Sequence, residues 1–89
     1  IENEVIISNI FSAGLAMDDE GTLYVSDFEK DEVRRYGRRD RSDGTVVAGG
    51  NGRGAALNQL NRPRHIFVGA DHSVYISDSW NHRVMRWMS

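Results

Sequence analysis

This chain states one pattern twice. Gly21-Thr22-Leu23-Tyr24-Val25-Ser26-Asp27 returns as His72-Ser73-Val74-Tyr75-Ile76-Ser77-Asp78, a constant 51 positions later. The match extends to both sides. Leu15 and Met17 recur as Ile66 and Val68, and Val33, Arg35 and Tyr36 recur as Val84, Arg86 and Trp87. Periods of about this size mark solenoids, propellers and arrays, because one such unit cannot bury its apolar face alone. The chain therefore holds two units of an architecture that needs more than two.

At 89 residues it is one small domain at most. It has no cysteine, so neither a disulfide nor a Cys-based zinc site reinforces the core. A net charge of −2 argues against a whole-surface nucleic-acid or membrane binder. No apolar run reaches the length of a spanning helix or a signal-peptide core. The opening at Ile1 rather than Met points to a fragment or a processed product. Nothing in the sequence fixes a compartment.

Glycines are spread through the chain and few windows carry apolar residues at helical spacing. Short β-branched or aromatic runs alternate with turn residues, which predicts strands. The expected set is 4–8, 14–18, 22–27, 32–37, 45–49, 65–69, 73–78 and 83–88. Asp18-Asp19-Glu20-Gly21, Gly69-Ala70-Asp71-His72 and Ser42-Asp43-Gly44 read as tight turns. Leu-Tyr-Val and Val-Tyr-Ile are apolar on both faces, so both faces of these sheets are expected to be covered. The connection 49–64 is about ten residues longer than its counterpart Asn9 to Ala13, which marks an inserted loop.

The run Val47-Ala48-Gly49-Gly50-Asn51-Gly52, then Leu57-Asn58-Gln59-Leu60-Asn61-Arg62-Pro63, then Val74-Tyr75-Ile76-Ser77-Asp78 and Asn81-His82-Arg83-Val84, resembles an NHL repeat. The third letter of the Asn-His-Leu signature departs here, and the first copy is degenerate, with Lys30-Asp31-Glu32. The resemblance covers about 4–88. It implies an all-β chain: a β-propeller of four-stranded antiparallel blades, usually six per ring, with about two blades in this chain. The single unit 1–89 divides into a first repeat, 4–44, and a second, 45–89. By that resemblance 14–18, 22–27 and 32–37 are inner strands and 45–49 the outer strand of one blade. The second blade, 65–69, 73–78 and 83–88, then lacks its outer strand, and 4–8 is an outer strand without its blade. Residues Val5, Ile6 and Ile7 are thus expected to pair, in a second copy, beside Val84 and Arg86.

The same arrangement sorts the loops by face. One rim gathers Asn51, Arg53, Arg64, His65, Trp80, Asn81 and His82, the candidate ligand site. The competing reading is that the glycine-rich loop is only a long turn and that Asn81 and His82 fix another. Gly-x-Gly-x-Gly at 50–54 is no phosphate loop, since it lacks the Lys-Ser/Thr ending. Asp27 and Asp78 read as acceptors for turn N–H groups. Arg34, Arg35, Arg38, Arg39 and Arg41 flank Tyr36 in the one basic patch, which suits RNA; its rival is a solvated turn balanced by Asp40 and Asp43. The histidines show no His-x-x-x-His spacing, so no metal or other cofactor is expected. Some family members are amidating lyases, but no residue here matches that chemistry.

The leading expectation is a non-enzymatic interaction module whose partner is itself: a homotrimer closing a six-bladed ring by strand complementation. A fragment of a larger propeller that binds RNA or protein is the alternative, and a channel-metal enzyme comes third. No membrane partner is expected.

Overall fold

The computed structural model describes residues 2–39, 41 and 44–88. Among them the chain is all-β, with seven strands and one 3₁₀ turn at Ser79–Asn81. Strands β1 (Ser12–Met17), β2 (Leu23–Asp27), β3 (Glu32–Tyr36) and β4 (Thr45–Gly49) form one antiparallel sheet in sequence order. Strands β5 (Pro63–Val68), β6 (Val74–Asp78) and β7 (Arg83–Trp87) form a second. Of the turn at Ser42-Asp43-Gly44, Ser42 and Asp43 lie outside the described residues, as does Asp40.

The sequence repeat is a structural repeat. In the first sheet Leu23 pairs with Tyr36, Tyr24 with Arg35 and Ser26 with Val33. In the second, Val74 pairs with Trp87, Tyr75 with Arg86 and Ser77 with Val84, the same register 51 positions on. Backbone conformations repeat too. Asp31 and His82 are left-handed (φ 53° and 52°), as are Gly21 and His72 (φ 82° and 67°). Residues other than glycine seldom take this conformation, so its recurrence at non-glycine positions marks turns imposed by their surroundings.

The sheets stack face to face, with β5 against β1 and β2. Tyr24, Val33, Ala48, Val74 and Ile76 form the buried centre, and Ile66, Val68, Met85 and Trp87 pack around it. Leu60 completes it from the long loop, with no exposed surface. Each such buried aliphatic side chain contributes about 1.5–3 kcal/mol. Gly14 permits the closest approach. A Cβ there would lie 2.0 Å from the Arg64 carbonyl oxygen.

One expectation is corrected. Residues 4–8 form no strand. The arm 5–10 instead lies over the face of the first sheet that points away from the second. Ile6, Ile7 and Ile10 line a cavity of about 360 Å³ with Leu15, Leu23 and Val25. The reason is one of reach. The arm enters β1, at the opposite edge of its sheet from β4, and β7 belongs to the sheet on the other side of the stack. The nearest gain is burial against an apolar face, which needs no hydrogen-bond register.

Candidate functional site

The loop rim is held by buried carboxylates at strand ends. Asp27 Oδ1 accepts from the Glu29 and Lys30 amides, both at 2.9 Å. Asp78 accepts from the Asn61 amide (2.7 Å), the Asn81 side chain (2.8 Å) and Arg83 Nε (2.8 Å). Arg83 in turn donates to the carbonyls of Ala55, Ala56 and Gln59. Asp31 accepts from Arg53 Nε (2.9 Å) and the Arg62 amide (2.7 Å). These bonds clamp the glycine-rich loop onto both sheets.

They also sort the expected ligand residues. Asn51 donates to the carbonyls of Gly49 and Asn58, and Asn81 to that of Gly54. Arg53 is paired with Asp31. These three fasten the loop. His65 and His82 are exposed, on the β5 strand and at a left-handed turn respectively. Only Arg64 and Trp80 come together, in a cavity of about 370 Å³ that Phe28, Arg62, Ser12 and Ala13 complete. The Arg62 guanidinium lies 5.0 Å from the Trp80 ring and 5.9 Å from Phe28. Its Nε is buried without a hydrogen-bond partner among the described residues. Arg62 also faces an acidic neighbour, with Glu29 Oε1 3.8 Å from its guanidinium, so its charge is spent partly on Glu29 and on the two rings it covers. Sequence reading places Arg62 only within the repeat run 57–63 and gives it no site role, and nothing in the sequence brings Phe28 beside Trp80.

The basic patch divides between faces: Arg34 and Arg41 line a cavity of about 440 Å³ with Lys30, Tyr36 and the arm residues Ile6, Ile7 and Ile10. Arg34 pairs with Glu32 and donates to the Gly44 carbonyl at 3.0 Å. The Glu32 bond raises the Arg34 pKa above its ordinary value, with burial opposing. Arg41 donates to the Gly21 carbonyl at 3.1 Å. Arg35 points to the other face, where it lines a cavity with Tyr24, His72 and Trp87. Arg38 and Arg39 are exposed.

A further cluster joins the opposite turns. His72 Nδ1 lies 3.4 Å from Asp18 Oδ2 and His72 Nε2 lies 3.9 Å from Glu20 Oε1. Their ligand atoms lie within 4.8 Å of one another, close enough to hold a metal ion, which the histidine spacing does not signal. Asp18 is already occupied. It accepts from the Glu20 amide, the Thr22 amide and the Tyr24 hydroxyl. Burial pushes its carboxyl up, but these bonds and His72 outweigh it and hold its pKa below the ordinary value.

The two outer faces of the stack differ from its middle. Phe67 is 66% exposed and Val84 72%, beside Tyr75, Ser77 and Arg86. At the other end Leu15 is 64% exposed although the arm lies across its sheet. The outer edge of β7 has no paired strand among the described residues. No protein-family model matches the chain, and no curated protein matches it with significance.

Proposed function

We propose that the chain is a non-enzymatic interaction module that assembles with itself. Its two sheets are blades of an NHL-like β-propeller, and three copies close a six-bladed ring. One observation carries this reading. The exposed face of the second sheet is the repeat image of the buried face of the first. Tyr75, Ser77, Val84 and Phe67 stand 51 positions after Tyr24, Ser26, Val33 and Ala16, which face the second sheet. The first sheet's outer face carries Leu15, Leu23, Val25 and Tyr36. These are the counterparts of Ile66, Val74, Ile76 and Trp87, which receive the first sheet inside the chain. The two ends are therefore complementary in the way the middle already is. Such head-to-tail contacts close into a ring when the rotation per copy is right. Apolar faces of this kind on a small domain mark interaction surfaces.

Light scattering tests it. The expected mass is three times the 10.1 kDa of one chain. A folded monomer at micromolar concentration overturns the proposal. A dimer or tetramer preserves assembly and corrects the blade count.

A further inference from the structure

We infer that Asp18, Glu20 and His72 form a site for one divalent transition-metal ion, zinc by preference, which ties the turn between β1 and β2 to the turn between β5 and β6. All three donors come from one chain, so the site exists whether or not copies assemble. Two carboxylates and an imidazole are a donor set that zinc takes, whereas calcium and magnesium prefer oxygen alone. The spacing agrees. Each ligand atom lies about 2.1 Å from a tetrahedral zinc ion, which sets neighbouring ligand atoms about 3.4 Å apart. His72 Nδ1 and Asp18 Oδ2 are 3.4 Å apart. A direct charged hydrogen bond would bring them to about 2.7–2.9 Å. The pair is therefore spaced for an ion between them rather than for direct contact. Glu20 Oε1 is 3.9 Å from His72 Nε2, and one ligand atom from each residue lies within 4.8 Å of the other two. The Glu20 side chain is 74% exposed and so free to swing onto the ion.

Asp18 is prepared for this role. A carboxylate has about four acceptor positions. The Glu20 and Thr22 amides take two on Oδ1, and the Tyr24 hydroxyl takes one on Oδ2. The position left is on Oδ2, the atom that faces His72. Bonds of this kind are the outer support that orients a metal-binding carboxylate. His72 also lines a cavity of about 320 Å³ with Tyr24, Arg35 and Trp87, which leaves room for a water molecule as a further ligand. The repeat isolates the same pair. Asp18 and Gly69 are 51 positions apart, as are Gly21 and His72. Gly21 and His72 are both left-handed (φ 82° and 67°), a conformation that glycine takes freely and histidine does not. Glycine serves that turn, so the imidazole supplies something the turn does not need. Gly69 offers no carboxylate and Gly21 no imidazole. The site therefore occurs once per chain and does not recur where one copy would meet the next.

Zinc titrated into the metal-free chain near neutral pH tests the site. Calorimetry should give one ion per chain. The unfolded chain holds no such arrangement, so zinc at about a hundredfold excess over its Kd should raise Tm by about 10–20 °C. Calcium should give no comparable shift. His72→Gly installs the residue that its counterpart Gly21 already has, so the turn survives and the zinc shift should vanish. Glu20→Gln removes a ligand at an exposed position and should weaken binding about tenfold or more. His65→Ala with His82→Ala should bind zinc as the wild type does. A zinc shift that persists in both His72→Gly and Glu20→Gln, or one that calcium reproduces, overturns the site, as does a wild-type chain that zinc leaves unmoved. Loss of the shift on replacing His65 and His82 would place the ion on those histidines and overturn it equally.

Discussion

The two sheets carry the same motif but are buried differently. In β2 the run Tyr24 to Asp27 is buried without a break, whereas β6 alternates, with Tyr75 and Ser77 only partly covered between buried neighbours. The sequences do not account for this, since Tyr24 and Tyr75, Ser26 and Ser77 are the same residues in the same register. Position does. The first sheet has the second on one face and the arm on the other; the second sheet has cover on one side only. Two-sided strands of this composition are therefore satisfied only inside a stack, and the second sheet shows the unsatisfied form.

Equivalent substitutions measure how far the two halves differ. The largest single cost is expected at the buried carboxylates. Asp78→Ala removes the partner of Arg83 and unclamps the loop, at a cost of about 3 kcal/mol. Asp27→Ala loses two turn bonds and should cost about 1–2 kcal/mol. Urea unfolding separates them. Equal costs would show that the loop clamp adds nothing to the second sheet.

Next comes the closest approach. Gly14→Ala forces a Cβ onto the Arg64 carbonyl and should cost about 1–3 kcal/mol. His65→Ala, at the equivalent position on the free face, should lie within about 0.5 kcal/mol of zero. A silent Gly14→Ala would mean that the sheets pack less closely there.

Much of this architecture is legible in the chain itself. The 51-position repeat exposes both sheets, and alternation with turn residues places β1 to β7 to within two residues. Asp27 and Asp78 accept turn amides, as a short carboxylate at a strand end suggests. What is not legible depends on where chain segments travel. Leu60 lies in a glycine-rich loop with no periodicity, yet it fills the centre, while Leu57, three residues earlier, is exposed. Val5-Ile6-Ile7 has strand composition, but a strand needs an edge within reach, and composition does not report that. Asn51, Arg53 and Asn81 have the chemistry of a ligand site and spend it on backbone carbonyls and Asp31.

A cost below that of Asp78 is expected at Val33, and its counterpart Val84 should behave differently. Val33→Ala empties a fully buried site and should cost about 2 kcal/mol at every concentration. Val84→Ala should be nearly silent in dilute solution, because the side chain is exposed. With assembly, its cost should appear as concentration rises, since association stabilises only the state that associates. Thermal melts of both variants over a wide concentration range read this directly. A Val84→Ala deficit independent of concentration would break the comparison.

The smallest effect concerns the turns opposite the loop rim. Asp18 and Asp71 both hold their carboxyls below the ordinary value, for different reasons. Asp71 owes this first to the Ser73 amide and hydroxyl. Asp18 is opposed by burial and is held down by two turn amides, the Tyr24 hydroxyl and His72 from the other sheet. A depressed carboxyl stabilises the fold above its unfolded pKa of about 3.9. As pH falls, the unfolded chain takes up the proton first, and the contribution is lost through the lower folded pKa. Stability should therefore decline below about pH 4, and Asp18→Asn should flatten that decline while lowering stability at neutral pH. Asp18 reaches across to His72, so its replacement should also loosen the contact between the sheets; that of Asp71 should alter chiefly the turn it caps. Urea midpoints between about pH 2 and 6 test the pair. An Asp18→Asn variant with the wild-type slope would remove the carboxylate from the account and leave the sheets joined by their apolar faces.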